Sequence, residues 1–398
     1  MNDRIVITGM GVVSAIGIGK KETLQSLCQK QTGIADVCYL KTGRKEFPVG
    51  EVKLSDEQMK DLLGIVKEPT TRTSLMGMLA LQEAMDEAGV TNGVDGPMAL
   101  VSGTTVGGMD KSEQFYQDYL SSNLRNDYIN THDCGATTEL MADRFGVFSS
   151  VTSISTACSS ALNAIILGAN LIRSRRTDIA VVGGSECITK FHLNGFNSLM
   201  ILDTQQCKPF DENRAGLNLG EGASFLVLET EESARRRGAK VIGVLSGYGN
   251  ACDAFHQTAT SDDGEGAFLA MQKALAMAGL SPNDIDYVNA HGTGTLNNDV
   301  TESRALMRVF SGKMPLVSST KGMTGHTTSA SGAVETTICL LALLHQVIPP
   351  NVGWSTPMSE GIVPAVETTP TGVLRHIMCN SFGFGGNDSS IIISNNEL

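Results

Sequence analysis

The sequence holds nine cysteines but no CxxC pair and no framework spacing. That argues against a disulfide scaffold and for reduced thiols. No apolar run reaches the roughly 18 residues of a membrane span. The opening "MNDRIVITGMG" enters a strand-like run directly, without a secretory leader, so the expected location is cytoplasmic. Basic charge is not in excess: 30 Lys and Arg face 42 Asp and Glu, a net charge of −12. Nucleic acid and anionic membrane are therefore poor partners. There is no GxxxxGK[ST] loop, and no GxGxxG follows the first strand, which argues against nucleotide cofactors. HxxxH and HExxH spacings are also missing, so neither a metal nor a cofactor is expected.

What is present is a large core and many tight turns. Of the 398 residues 41% are hydrophobic, and 43 are glycine, against a usual glycine share of roughly 7%. Strand-like runs ("RIVITGMGVVS", "PMALVSGTT", "DIAVVGGSE") alternate with helical stretches such as Ser74–Gly89 and "LNAIILGANLIRSRR". This alternation predicts an α/β fold with a largely buried sheet. A weak repeat runs through the chain. Ala80, Ala84, Ala88 and Gly89 close one helix; Ala270, Ala274, Ala278 and Gly279 close another. Each is followed by a strand and a Gly-Thr turn, and "VVGGSE" is echoed by "GFGGND". The shared order suggests two similar halves, 1–241 and 242–398.

Chemistry concentrates in three places. In "STACSSALNAI", Cys158 sits among small polar residues where an apolar helical pattern begins. A helix N-terminus favours a thiolate, which predicts a lowered thiol pKa; the stretch alone also reads as a packed, inert cysteine. His291 ends a buried strand in "YVNAHGTGT". Lys321 and His326 share the polar loop "STKGMTGHTTSASGAVE" ahead of a long apolar helix. Strand ends and helix starts of α/β folds are where reactive groups converge. Finally, "NSFGFGGND", Asn380 to Asp388, has the glycines to bring a backbone N–H to an oxyanion.

Taken in order, "TACSS", "KPFDENRAGLNLGEGA", "VNAHGTGT", "SSTKGMTGHTTSASGAVE" and "NSFGFGG" give the chain a resemblance, end to end, to the elongating β-ketoacyl-[acyl carrier protein] synthases of type II fatty acid and polyketide systems. The resemblance implies the thiolase fold, two similar α/β halves in a five-layered α-β-α-β-α arrangement, with acyl carrier protein as partner and a homodimer or heterodimer as assembly. It implies decarboxylative condensation of an acyl group on Cys158 with a malonyl group. His291 and His326 would act on the malonyl thioester, Glu302 would hold Lys321, and the Phe384 and Cys158 amides would form the oxyanion hole. Val106 would limit acyl chain length. Arg72 and Arg214 would dock the acidic carrier, with Lys67 and Arg125 as weaker candidates.

Two alternatives remain: a thiolase-type acyltransferase, for which Cys379 would have to act rather than pack, and a non-catalytic partner subunit. The chain departs from the family pattern at Gly294 and Leu296, in "GLNLGEG" and "DAFHQTATSDDG", and at Asn387-Asp388, where Thr-Asn is usual. These departures point towards a specialised polyene or polyketide pathway.

Overall fold

The computed structural model describes residues 4–66, 69–370 and 374–396. The first half contributes β1 (Ile5–Ser14), β2 (Gly17–Ile18), α1 (Lys20–Gln29), α2 (Asp56–Leu63), α3 (Arg72–Ala88), β3 (Met98–Gly103), α4 (Met109–Ser121), α5 (Cys134–Phe145), β4 (Ser150–Ile154), α6 (Ser160–Arg173), β5 (Ile179–Glu186), α7 (Lys190–Ser198), β6 (Gly222–Thr230) and α8 (Glu231–Arg237). The second contributes β7 (Gly243–Cys252), α9 (Glu265–Ala278), β8 (Tyr287–Asn289), α10 (Leu296–Val309), β9 (Leu316–Ser318), α11 (Lys321–Thr324), α12 (Ser331–His345), β10 (Val347–Ile348), β11 (Thr369–Pro370), β12 (His376–Gly383) and β13 (Asn387–Ser394).

The main strands form one continuous path, β4-β3-β5-β6-β1-β7-β13-β12-β8-β9. At its centre β1 and β7 share only the pairs Val6–Val244 and Ile7–Gly243. Outward from that junction the halves repeat one another. β1 meets β6, and β6 meets β5, antiparallel, before β3 and β4 continue in parallel. β7, β13, β12, β8 and β9 run through the same antiparallel and parallel sequence. The internal repeat is therefore a duplicated topology.

Alternation along the strands builds the layers. On β12, Ile377 and Cys379 face the central core while Met378 faces an outer one; on β13, Ile391 and Ile393 face inward and Ile392 outward. Strand β6 does the same with Leu226 and Leu228 against Phe225 and Val227. A strand buried on both faces needs a helix layer on each. Helices α6 and α12 touch each other and lie between the half-sheets, α3 covers β1 and β6, and α9 covers β7 and β13.

The repeated alanines have a packing reason. A Cβ at Gly9 or Gly11 would lie 2.2 or 2.0 Å from the carbonyl oxygens of Ala84 and Ala80. At Gly247 and Gly249 it would lie 2.3 or 2.2 Å from those of Ala274 and Ala270. In both halves bare strand backbone rests on an alanine helix face.

Candidate active site

Cys158 lies on the turn between β4 and α6. Ala157, just before it, adopts the left-handed conformation at φ 52°, an unusual backbone for a residue with a side chain. Local hydroxyls hold this turn. Ser160 Oγ accepts from the Thr156 N–H at 2.9 Å and donates to the Ala157 carbonyl at 2.6 Å, and Ser381 Oγ donates to the Cys158 carbonyl at 2.9 Å. The backbone N–H groups of Phe384 and of Cys158 itself both reach the sulfur. Gly383 permits this approach: a Cβ there would lie 3.0 Å from the Thr156 oxygen and 3.2 Å from the Cys158 nitrogen. The helix starts where the sequence predicted, but the thiol pKa does not fall. Burial pushes it up to about 12, and the opposing pull of Lys321 and the two amides is smaller.

His326 follows α11. Its N–H donates to the Asn218 carbonyl at 2.7 Å, and its carbonyl accepts from the Gly220 N–H at 2.9 Å. This backbone anchoring sets its Nε2 3.1 Å from Cys158 Sγ. His291 stands beside it, ring centroids 5.1 Å apart and nearly perpendicular at 81°. Neither Nδ1 has a hydrogen-bond partner. Both rings are held well below the usual histidine pKa, first by burial and then by the Lys321 charge. Both are therefore neutral near pH 7.

Two acidic residues support these groups. The sequence expectation paired Glu302 with Lys321. Instead Glu302 accepts from the backbone N–H groups of His291 and Gly292, at 2.8 and 2.7 Å, and so fixes the His291 turn. Burial lifts its pKa to about 7. The partner of Lys321 is Glu335 on α12, in an ion pair with both side chains almost fully buried. Sequence reasoning missed Glu335, although a single carboxylate in "GAVETTICLLALL" already demanded a buried cation.

Cys158, His291, His326 and Phe384 line one cavity of about 260 Å³, with Thr293, Thr295 and the exposed Met200. Val106, expected to bound the acyl pocket, does not line it. It is buried with Met76 and Met141 in the outer core, its N–H 3.4 Å from Glu186. The Cys158, His291 and His326 donor atoms lie within 4.8 Å of one another, a set that could hold a soft metal ion.

The two arginines expected to dock the carrier are structural. Arg72 is 8% exposed and bonds Glu221 at 2.9 Å, Asp56 at 3.0 Å and the Leu54 and Val52 carbonyls. Arg214, equally buried, donates to the carbonyls of Asp211, Thr295 and Leu296. Burial against acidic or carbonyl partners leaves neither a free charge to offer. Arg125 is exposed, over the Phe115 ring, and Lys67 lies outside the described residues. Cys379 is buried in the central core, its sulfur 3.9 Å from Thr336 Oγ1. None of the described helices is long and apolar enough to cross a membrane.

The duplicated α/β halves define a thiolase-like fold, with a cysteine beneath two amides and two histidines in one cavity. Residues 2–234 match the family described as beta-ketoacyl synthase, N-terminal domain, and residues 242–355 the beta-ketoacyl synthase, C-terminal domain. The chain belongs to the β-ketoacyl synthases and is a β-ketoacyl-[acyl carrier protein] synthase of fatty acid or type II polyketide synthesis, an acyltransferase. It is 32% identical to 3-oxoacyl-[acyl-carrier-protein] synthase 2 of Vibrio cholerae, over 98% of each chain. The ishigamide ketosynthase/chain length factor superimposes with a TM-score of 0.91 at 28% identity, covering 99% of this chain and 100% of that one. A type II polyketide acyl-carrier protein in complex with its ketosynthase, AntDE:AntF, gives 0.87 at 25% identity, covering 99% and 100%.

Proposed function

We propose that Cys158 accepts an acyl group from a carrier thioester and that a malonyl-loaded carrier then extends it by two carbons. In the first step His326 Nε2, 3.1 Å from Sγ, takes the thiol proton. The thiolate attacks the acyl carbonyl, and the oxyanion accepts hydrogen bonds from the Cys158 and Phe384 amides. The tetrahedral intermediate expels the carrier thiol, which recovers the proton from His326. In the second step malonyl loses carbon dioxide, and charge develops on its thioester oxygen. Neutral histidines supply N–H donors to that charge. With both Nδ1 atoms unpartnered, neither ring is pinned in one tautomer. The carbanion attacks the acyl-cysteine, releasing the β-ketoacyl thioester and a thiolate that regains its proton from solvent.

The observation that carries this reading is the convergence of Sγ, two backbone donors and two neutral histidines on one cavity. It is tested by mass spectrometry after mixing with acyl- and malonyl-loaded carriers. The expected result is an acyl adduct on Cys158 that malonyl carrier discharges as a longer product. Retained condensation in Cys158→Ala would refute it.

A second ketosynthase-fold chain is the proposed assembly partner. Among the described residues strand β4 ends the sheet with one edge unpaired; Val151 on it is an exposed apolar residue, as are Tyr116, Leu120, Leu124 and Ile129 of the 116–129 stretch. An open sheet edge and exposed apolar residues both favour association.

A further inference from the structure

Asp388 departs from the family pattern and plays no part in the chemistry above. It is the second residue of β13, four positions after Phe384, and fully buried. Neither carboxylate oxygen has a hydrogen-bond partner, and no cation pairs with it among the described residues. The titratable groups facing it are Asp253, after β7, and Glu302, on α10. Helix α9 brings the backbone of Gly266 against it: a Cβ there would sit 2.1 Å from Asp388 Oδ2 and 2.9 Å from Asp253 Cβ.

Those two neighbours hold the two halves of the active site. Glu302 fixes the His291 turn through two backbone N–H groups. Asp253 donates its N–H to the Gly386 carbonyl at 2.9 Å, on the loop that carries Phe384. Its carboxylate is already occupied, accepting from Ser261 and from the N-terminus of α9 at Gly266. A buried carboxylate with no donor, beside two other acids, is stable only as the neutral acid.

We infer that Asp388 is a positioning residue for condensation: its neutral carboxyl lets the His291 turn and the 383–386 loop close together, and its ionisation drives them apart. The inference rests on the condensing reading. Burial, then Asp253 and Glu302, raise this pKa to about 8, so the neutral form dominates below that pH and is lost as pH rises through it.

The test compares Asp388→Asn, which cannot ionise, with the native protein between pH 7 and 9.5, using the same loaded carriers for both. The native condensation rate should fall about tenfold per pH unit above pH ~8. The variant's ratio of rates at pH 9 and pH 7 should stay within about threefold of unity, because position 388 then gains no charge. Parallel alkaline declines in both proteins, or a decline in neither, would overturn the inference. Hydrogen exchange supplies a second readout that survives failure of the variant to fold. After correction for intrinsic rates, the native Phe384 and His291 amides should lose protection about tenfold as pH crosses 8, and unchanged protection also overturns it. Absence of any condensation product at every pH would instead refute the proposed function, leaving the exchange result to judge Asp388.

Discussion

At Cys158 two effects compete, and burial wins. A helix start and two amides favour the thiolate, while desolvation of a residue only 6% exposed pushes the thiol up to about 12. In the proposed mechanism the thiol therefore hands its proton to a neighbour as it attacks. His326→Ala should slow acylation of Cys158 by about a hundredfold or more, the usual scale of a lost general base, and His291→Ala should slow it less. Equal rates of acyl-adduct formation in both variants would show that the helix start suffices. In the resting protein iodoacetamide should modify the exposed Cys28, Cys38 and Cys252 at least as fast as Cys158. The neutral histidines also bear on stability. Their folded pKa values lie below the unfolded value near 6.5, so the folded state binds fewer protons. The stability this provides is present above pH ~6.5 and lost as pH falls below it. Thermal unfolding from pH 7 to 5 should show a falling Tm that is shallower in His291→Asn.

At the scale of elements, polar pairs and bare backbone hold the layers in place. Arg72 anchors the N-terminus of α3 to Glu221, 149 residues away, with Glu221 itself 1% exposed. Arg72→Ala would strand that carboxylate, and the loss expected is about 3–5 kcal/mol, read from chemical denaturation. Kinetics separate this role from docking: a docking residue would weaken carrier-bound substrates and spare a small acyl thioester, whereas Arg72→Ala should impair both alike. The glycines under α3 and α9 make the duplicated architecture testable. Gly11→Ala and Gly249→Ala meet the same carbonyl clash, at 2.0 and 2.2 Å. Each should therefore destabilise by about 1–3 kcal/mol or more. A neutral effect in one half would mean that its helix–strand contact yields where the other does not.

For the whole molecule, the proposed assembly uses the open β4 edge and exposed apolar residues. Val151 and Leu120 are 39% and 67% exposed. If that proposal holds, Val151→Lys combined with Leu120→Lys should put charge on these exposed positions and lower the sedimentation coefficient to that of a monomer. An unchanged sedimentation coefficient would locate the interface elsewhere.

Much of the reactive constellation was legible in sequence because its members lie where strands end and helices begin. Cys158, His291, Lys321, His326 and Phe384 each follow a period change or a glycine turn, and these are local signals. The halves were legible because Ala80, Ala84 and Ala88 recur as Ala270, Ala274 and Ala278, spaced so that each helix presents bare backbone to a strand. Charge and burial were not legible. Nothing near Arg72 or Arg214 in sequence reveals that they are buried, nor that Lys321 chooses Glu335 over Glu302. The state of the thiol and of both histidines likewise depends on how much protein surrounds them. The sequence by itself determined which groups could react and which segments would carry them. Only the tertiary structure decided their partners and protonation, because the strength of a charge depends on the dielectric around it and on donors brought from elements far along the chain.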